Sequence, residues 1–154
     1  MFSTDGLIYY TDDHYTSFSK IDVTTAGPAQ ATQEIVLAIV DVQEGELYSS
    51  AEEVAAYLHA YGELPINYII KNDAKDLGWT NKKDNLGKVA EGYTIGGDEF
   101  QNREKLLPSQ KGRTWFECDV NTVDGKRGKQ RIVFSNDGLI YYSDNNFKSF
   151  TQLY

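Results

Sequence analysis

The segment FSTDGLIYYTDDHYTSF, beginning at Phe2, returns as FSNDGLIYYSDNNFKSF, beginning at Phe134. Aligned without gaps, Phe2–Ile21 and Phe134–Leu153 share 11 of 20 residues. One fold has one place for such a segment, so the two copies should compete for it. Their chemically important differences fall side by side: Asp13-His14-Tyr15 in the first copy is Asn145-Asn146-Phe147 in the second.

Each copy reads as a β-hairpin. In the first, Leu7 to Tyr10 is strand-like, Thr11-Asp12-Asp13 has turn composition, and Tyr15 to Ile21 alternates apolar with polar residues. Residues 22–46 read as an acidic connector, with loop composition at Thr24 to Ala29 and one short apolar run at Ile35–Val40. Beyond it, Ser49-Ser50-Ala51-Glu52-Glu53 is a helix start, with a serine cap and acids in the first turn. Val54, Tyr57, Leu58 and Tyr61 follow at helical spacing, and Gly62 stops the helix. Shorter helices are predicted at Asn72–Leu77 and Asn85–Val89, and strands at Arg113–Val120, Gln130–Phe134 and Leu139–Tyr142. Helices followed by a sheet make an α+β chain. Three segments result: 1–21 carrying the histidine-bearing copy, 22–46 as connector, and 47–154 as the main domain.

With 154 residues the chain can bury a sizeable core. The single cysteine, Cys118, cannot close an intrachain disulfide. No stretch approaches the roughly 18 apolar residues of a membrane span, and the first residues lack the pattern of a signal peptide. The net charge of −8 is uneven. Residues 1–46 hold eight acids against Lys20, whereas Arg103 to Arg131 holds eight bases and four acids. Such a chain is a poor general binder of nucleic acid, but it can focus a phosphate into one cleft.

Several motifs of the main segment carry a resemblance. Leu64-Pro65 with Tyr68-Ile69, Leu77-Gly78-Trp79, Ile95-Gly96-Gly97-Asp98, Asn102-Arg103-Glu104, Gly112-Arg113-Thr114-Trp115 and Arg131-Ile132 closely resemble the barnase-like bacterial guanyl-preferring ribonucleases. The similarity runs from about Leu47 to Tyr154. It implies helices packed on a five-stranded antiparallel sheet, and an endoribonuclease that cleaves single-stranded RNA to 2′,3′-cyclic phosphates without metal or cofactor. It implies Glu117 as general base, Arg127 and Arg131 as the phosphate-holding arginines, and Lys71 beside the scissile phosphate. Phe100, Gln101, Asn102, Arg103 and Glu104 match the base-reading loop. The family's general acid is a histidine inside an Asp-His-Tyr triplet of the last hairpin. Here that position is Asn146, followed by Phe147, and the intact triplet sits at Asp13-His14-Tyr15. The resemblance also implies secretion and an acidic barstar-like inhibitor as a possible partner.

These residue types suit the chemistry. Attack of a 2′-hydroxyl on the adjacent phosphate needs a base for that proton, an acid for the leaving 5′-oxygen, and cations around the phosphate. An imidazole is the natural acid near neutral pH; an asparagine amide cannot serve. Two histidines and one cysteine, far apart in sequence, make no metal site. Arg113 and Asp119 read as structural partners, and His59 as a packing or surface residue.

Competition for the hairpin position favours the second copy, which continues directly from strand Gln130–Phe134. The first copy must reach through the connector, which as a flexible coil spans about 25–30 Å, at a closure cost on the order of 3 kcal/mol. The expectation is that the copy without histidine is docked. His14 and Tyr15 would then reach the site in a minority of molecules or by hairpin exchange between chains, in a monomer or an exchanged dimer. Loss of the acid leaves an alternative: a ribonuclease-like module that binds RNA or an inhibitor without efficient turnover.

Overall fold

The computed structural model describes residues 8–10, 19–21 and 40–154. In the first part, β1 (Ile8–Tyr10) and β2 (Ser19–Ile21) form an antiparallel pair, Ile8 opposite Ile21, Tyr9 opposite Lys20 and Tyr10 opposite Ser19. His14, Tyr15 and most of the connector lie outside the described residues.

The second part begins with α1 (Ala51–Tyr61). Ser50 caps it: its Oγ accepts the Glu53 N–H at 3.3 Å and donates to the Glu53 carboxylate at 2.6 Å. This reciprocal bonding ties down the helix entrance. Gly62, at φ 73°, ends the helix in the left-handed conformation that glycine adopts without steric cost. The shorter α2 (Lys71–Asp76) and α3 (Leu86–Val89) follow near their predicted positions. Ala74, Trp79, Leu86, Ala90 and Ile95 form a small core between them and the sheet.

The sheet has six strands in sequence order: β3 (Tyr68–Ile69), β4 (Thr94–Phe100), β5 (Trp115–Asp119), β6 (Arg131–Ser135), β7 (Ile140–Ser143) and β8 (Thr151–Gln152). It is mixed, not the five-stranded antiparallel sheet that the resemblance implied. The difference lies in β3, a two-residue strand that pairs parallel to β4 at one edge. The other neighbours are antiparallel. The second copy of the repeat supplies the end of β6 with β7 and β8. Tyr141 pairs with Gln152 and Tyr142 with Thr151, the same register as Tyr9 with Lys20 and Tyr10 with Ser19 in the first copy.

Alternation along the central strands gives the sheet two different faces. Cys118, Val120, Ile132 and Ile140 point to one side, where they pack with Ala51, Val54, Ala55 and Leu58 of α1. Trp115, Glu117, Asp119, Arg131, Val133 and Tyr141 point to the other. At one end of that second face, Trp115 and Val133 are covered by Leu107, with Phe100, Leu139, Tyr141, Phe147 and Phe150 around them. At the other end lie the charged residues. On β4 the pairing slips by one residue: Gly96 faces Cys118, whereas Asp98 faces Glu117. Gly97, at φ 101°, is the extra residue of this bulge. Gly96 must lack a side chain, because a Cβ there would lie 2.5 Å from the Cys118 Cβ and 2.6 Å from the Tyr68 ring. The slip puts Asp98 and Phe100 on the charged face.

Candidate active site

Strand β5 supplies two carboxylates, Glu117 and Asp119, two positions apart and therefore on one face. Asp119 is 1% exposed and holds both arginines. Its Oδ2 accepts from Arg127 Nε at 2.7 Å and its Oδ1 from an Arg127 terminal nitrogen at 3.0 Å, a two-pronged pairing. Arg131 lies directly opposite Asp119 in the β5–β6 ladder. Its Nε is 3.0 Å from Asp119 Oδ1, yet this N–H is not aimed along a hydrogen bond, so the contact is purely ionic. A terminal nitrogen of Arg131 donates to the Gly128 and Gln130 carbonyls at 2.9 and 2.8 Å. Burial pulls the Arg131 guanidinium below the ordinary arginine range. For Arg127 the hydrogen bonds to Asp119 outweigh burial and push it up. Removing one partner from a buried ion pair costs about 3–5 kcal/mol, because the other charge is left desolvated. Asp119 is the structural partner that its sequence context suggested.

Glu117 makes a different pairing, with the Lys71 ammonium from the first residue of α2. Both side chains are partly exposed, so a ligand can reach them. Lys71 is held from behind: its backbone N–H donates to Asp98 Oδ2 at 3.0 Å. The four charged residues expected from the sequence, Lys71, Glu117, Arg127 and Arg131, therefore stand together with Asp119 in three adjoining ion pairs over one sheet face. Side by side they can do two things: take up a proton at Glu117, and surround a phosphate with cations.

Residues 100–104 leave the end of β4 as a loop. Asn102, at φ 46°, folds it: its amide donates to the Leu107 carbonyl at 2.8 Å and its Oδ1 accepts the Leu107 N–H at 3.1 Å. Its side chain is thus an internal brace of the loop. Gln101, Arg103 and Glu104 are exposed. The Phe100 ring packs 5.0 Å from that of Phe147.

The last hairpin turn carries the remaining predicted residues. Asn145 Oδ1 accepts the N–H groups of Lys148 and Ser149 at 3.1 and 3.0 Å, which shapes the turn. Asn146 is exposed at φ 59°, and its N–H donates to the Lys129 carbonyl at 3.0 Å. Phe147 stands at φ 68°, a costly conformation for a bulky residue, about 1–3 kcal/mol. Its N–H donates to Ser143 Oγ at 3.0 Å, and its ring lies 5.8 Å beneath the Arg131 guanidinium. His14 and Tyr15 are outside the described residues. His59 is exposed and stacks 4.0 Å from the Tyr154 ring.

Sequence reasoning missed Asp98, Asp84 and Asn81. Asp84 Oδ1 accepts the Arg127 backbone N–H at 3.2 Å, and Asn81 Oδ1 lies 3.4 Å from a terminal nitrogen of Arg127. These contacts bridge 27, 43 and 46 positions, so no local pattern announces them. Among the described residues, no group of three or more His, Cys, Asp or Glu side chains is placed to hold a metal ion, and no helix is long and apolar enough to cross a membrane.

A family model described as ribonuclease matches residues 51–154. A ribonuclease of Bacillus intermedius is 47% identical over 113 residues, which cover 73% of this chain and 70% of that protein. One from Heyndrickxia coagulans is 50% identical over 100 residues, 65% of this chain and 92% of its own length. The guanyl-specific ribonuclease St of Saccharopolyspora erythraea is 34% identical over 59 residues, 38% of this chain and 58% of that protein. With the match spanning the helices, the sheet and the charged face together, the chain belongs to the ribonuclease family.

Proposed function

We propose that this ribonuclease is a guanyl-preferring endonuclease of single-stranded RNA, with residues 47–154 as the ribonuclease domain, 22–46 as connector and 1–21 as donor of the acid. The 2′-hydroxyl attacks the adjacent phosphorus, a 2′-O–P bond forms, and its proton passes to Glu117. As the 5′-O–P bond breaks, His14 of the first copy gives its proton to the leaving oxygen, and a 2′,3′-cyclic phosphate remains. Lys71, Arg127 and Arg131 hold the phosphate and offset its developing charge, which requires no metal. An entering phosphate competes with Glu117 for Lys71 and frees the carboxylate to act as base. Residues 100–104 read the guanine, a preference supported by the partial likeness to the guanyl-specific relative. Tyr15, Asn146 and Phe147 complete the substrate-facing set. The observation that carries this reading is one partly exposed carboxylate pairing with Lys71 two strand positions from a buried carboxylate that anchors two arginines.

His14 is the part of the reading most open to test. His14→Ala should lower RNA cleavage by about 10²–10⁴-fold, the usual worth of an acid–base group, while EDTA leaves the wild-type rate unchanged. Equal rates for wild type and His14→Ala would remove the first copy from the chemistry. Asn146 favours a second reading, because it stands exposed in the docked turn and cannot give a proton. In that case the chain binds RNA or an acidic barstar-like inhibitor with negligible turnover. Deleting residues 1–46 separates the two: activity falls in the first case and stays near zero in the second. Gel filtration of the two forms reports whether the histidine arrives within a monomer or through a hairpin-exchanged dimer.

A further inference from the structure

Arg127 has more restraints than a phosphate-binding arginine needs for charge alone. Five N–H groups are available on a guanidinium. Nε and one terminal nitrogen donate to Asp119, and the other terminal nitrogen reaches Asn81 Oδ1 at 3.4 Å. Among the described residues, one N–H on each terminal nitrogen is left for a ligand. The backbone beneath is fixed as well, since the Arg127 N–H donates to Asp84 Oδ1 at 3.2 Å.

Asp84 accepts this bond from an unfavourable position. Its φ of 47° is left-handed, a conformation that glycine adopts freely and aspartate less readily. The turn that holds it is cross-linked by hydrogen bonds. Thr80 N–H donates to Asn85 Oδ1 at 2.9 Å, Asn85 Nδ2 donates to the Gly78 carbonyl at 3.1 Å, and Asp84 N–H donates to the Thr80 carbonyl at 3.0 Å. The buried Trp79 anchors its start. Helix α3, which follows this turn directly, meets the 123–126 hairpin backbone to backbone: a Cβ on Gly87 would lie 2.4 Å from the Asp124 carbonyl oxygen. The segment after the turn and a hairpin distant in sequence thus pack closely just before Arg127.

We infer that Asp84 and Asn81 are positioning residues, which fix the direction in which the free N–H groups of Arg127 meet the phosphate. The inference rests on the proposed phosphate-binding role of Arg127. Misplacing a catalytic group by about 1 Å can cost about 100-fold in rate, so a backbone tether at this residue has leverage.

The test uses the full chain with Asp84→Gly and Asp84→Asn. Glycine keeps the left-handed turn and deletes the acceptor; asparagine tolerates the turn and keeps an acceptor without the charge. Asp84→Gly should lower kcat/KM by about tenfold, mostly through kcat, without lowering the unfolding midpoint, and should weaken inorganic phosphate binding to a similar degree. Asp84→Asn should stay within about twofold of wild type on both measures. Amide exchange at Arg127 should quicken in Asp84→Gly alone. Wild-type phosphate affinity in Asp84→Gly, or equal losses in both variants, would overturn the inference, the latter because charge and not tethering would then be at work. If wild type cleaves no RNA yet the phosphate difference appears, the positioning role stands and the cleavage reading falls.

Discussion

In the second copy of the repeat, Tyr141 pairs with Gln152 and Tyr142 with Thr151; in the first, Tyr9 pairs with Lys20 and Tyr10 with Ser19. The ladder is the same, although the outer strands differ in sequence, Ser19-Lys20-Ile21 against Thr151-Gln152-Leu153. What sets the register is the shared strand Leu-Ile-Tyr-Tyr and the alternation of the returning one, not identity at each position. The triplet in the turn, by contrast, has changed throughout. In the second copy Asn145 gathers two backbone N–H groups through one side-chain oxygen, a task that a carboxylate such as that of Asp13 can also perform. Shape and chemistry are therefore carried by different residues of the same short segment. A copy can lack the histidine and remain a good hairpin.

The strongest way to break this comparison is to give the docked copy its histidine. Asn146→His should raise the cleavage rate of a chain lacking residues 1–46 by about 10²–10⁴-fold, measured by steady-state kinetics on RNA. A negligible gain would mean that the turn of the second copy does not deliver a side chain to the scissile oxygen, and that the two turns differ in more than one residue. Next comes the turn itself. Asn145→Ala should destabilise the domain by about 1–3 kcal/mol in urea unfolding, since two backbone N–H groups lose the oxygen that accepts them both. The same change should speed amide exchange at Lys148 and Ser149.

The smallest expected effect concerns a residue common to both copies, Asp137, equivalent to Asp5. Asp137 accepts from Arg113 at 2.7–2.9 Å, and this pairing first, with Ser135 second, pulls its carboxyl down to about 2 from 3.8. The folded-state value is the lower one, so the contribution is complete above the unfolded value. It disappears as pH falls from about 4 to about 2. Asp137→Asn should thus be less stable than wild type at neutral pH and converge with it near pH 2. Thermal unfolding across that range reads the difference, which stays small because exposed pairs are screened by solvent.

Much of this architecture was legible because its signals are local. Ser50 and Gly62 mark the ends of α1 within a residue, and the alternation of β5 to β7 can be read along each strand. The motif positions likewise located Lys71, Glu117, Arg127 and Arg131, which the fold brings to one face. Two kinds of feature were hidden. The parallel strand Tyr68–Ile69 is too short to show a period, and it turned an expected antiparallel sheet into a mixed one. The supports behind the charges, Asp98 for Lys71 and Asp84 for Arg127, join segments 27 and 43 positions apart. Asn102 shows a third limit: the motif placed it in the base-reading loop, but no local pattern announced that its side chain braces that loop against Leu107.

The extra residue in β4 has a consequence for how the molecule tolerates insertion and deletion. Side chains on a strand change sides with every step, so Asp98 and Phe100 stay on the charged face only while Gly97 is bulged out of the ladder. Were Gly97 to pair with Glu117 instead, Asp98 and Phe100 would turn to the helix side, Lys71 would lose its anchor, and Glu99 would stand opposite Trp115. A single glycine thus acts as the phase marker of the strand: removing it would leave the pairing of Asp98 with Glu117 intact, whereas a β-branched residue, ill suited to its φ of 101°, should press the strand toward the wrong phase.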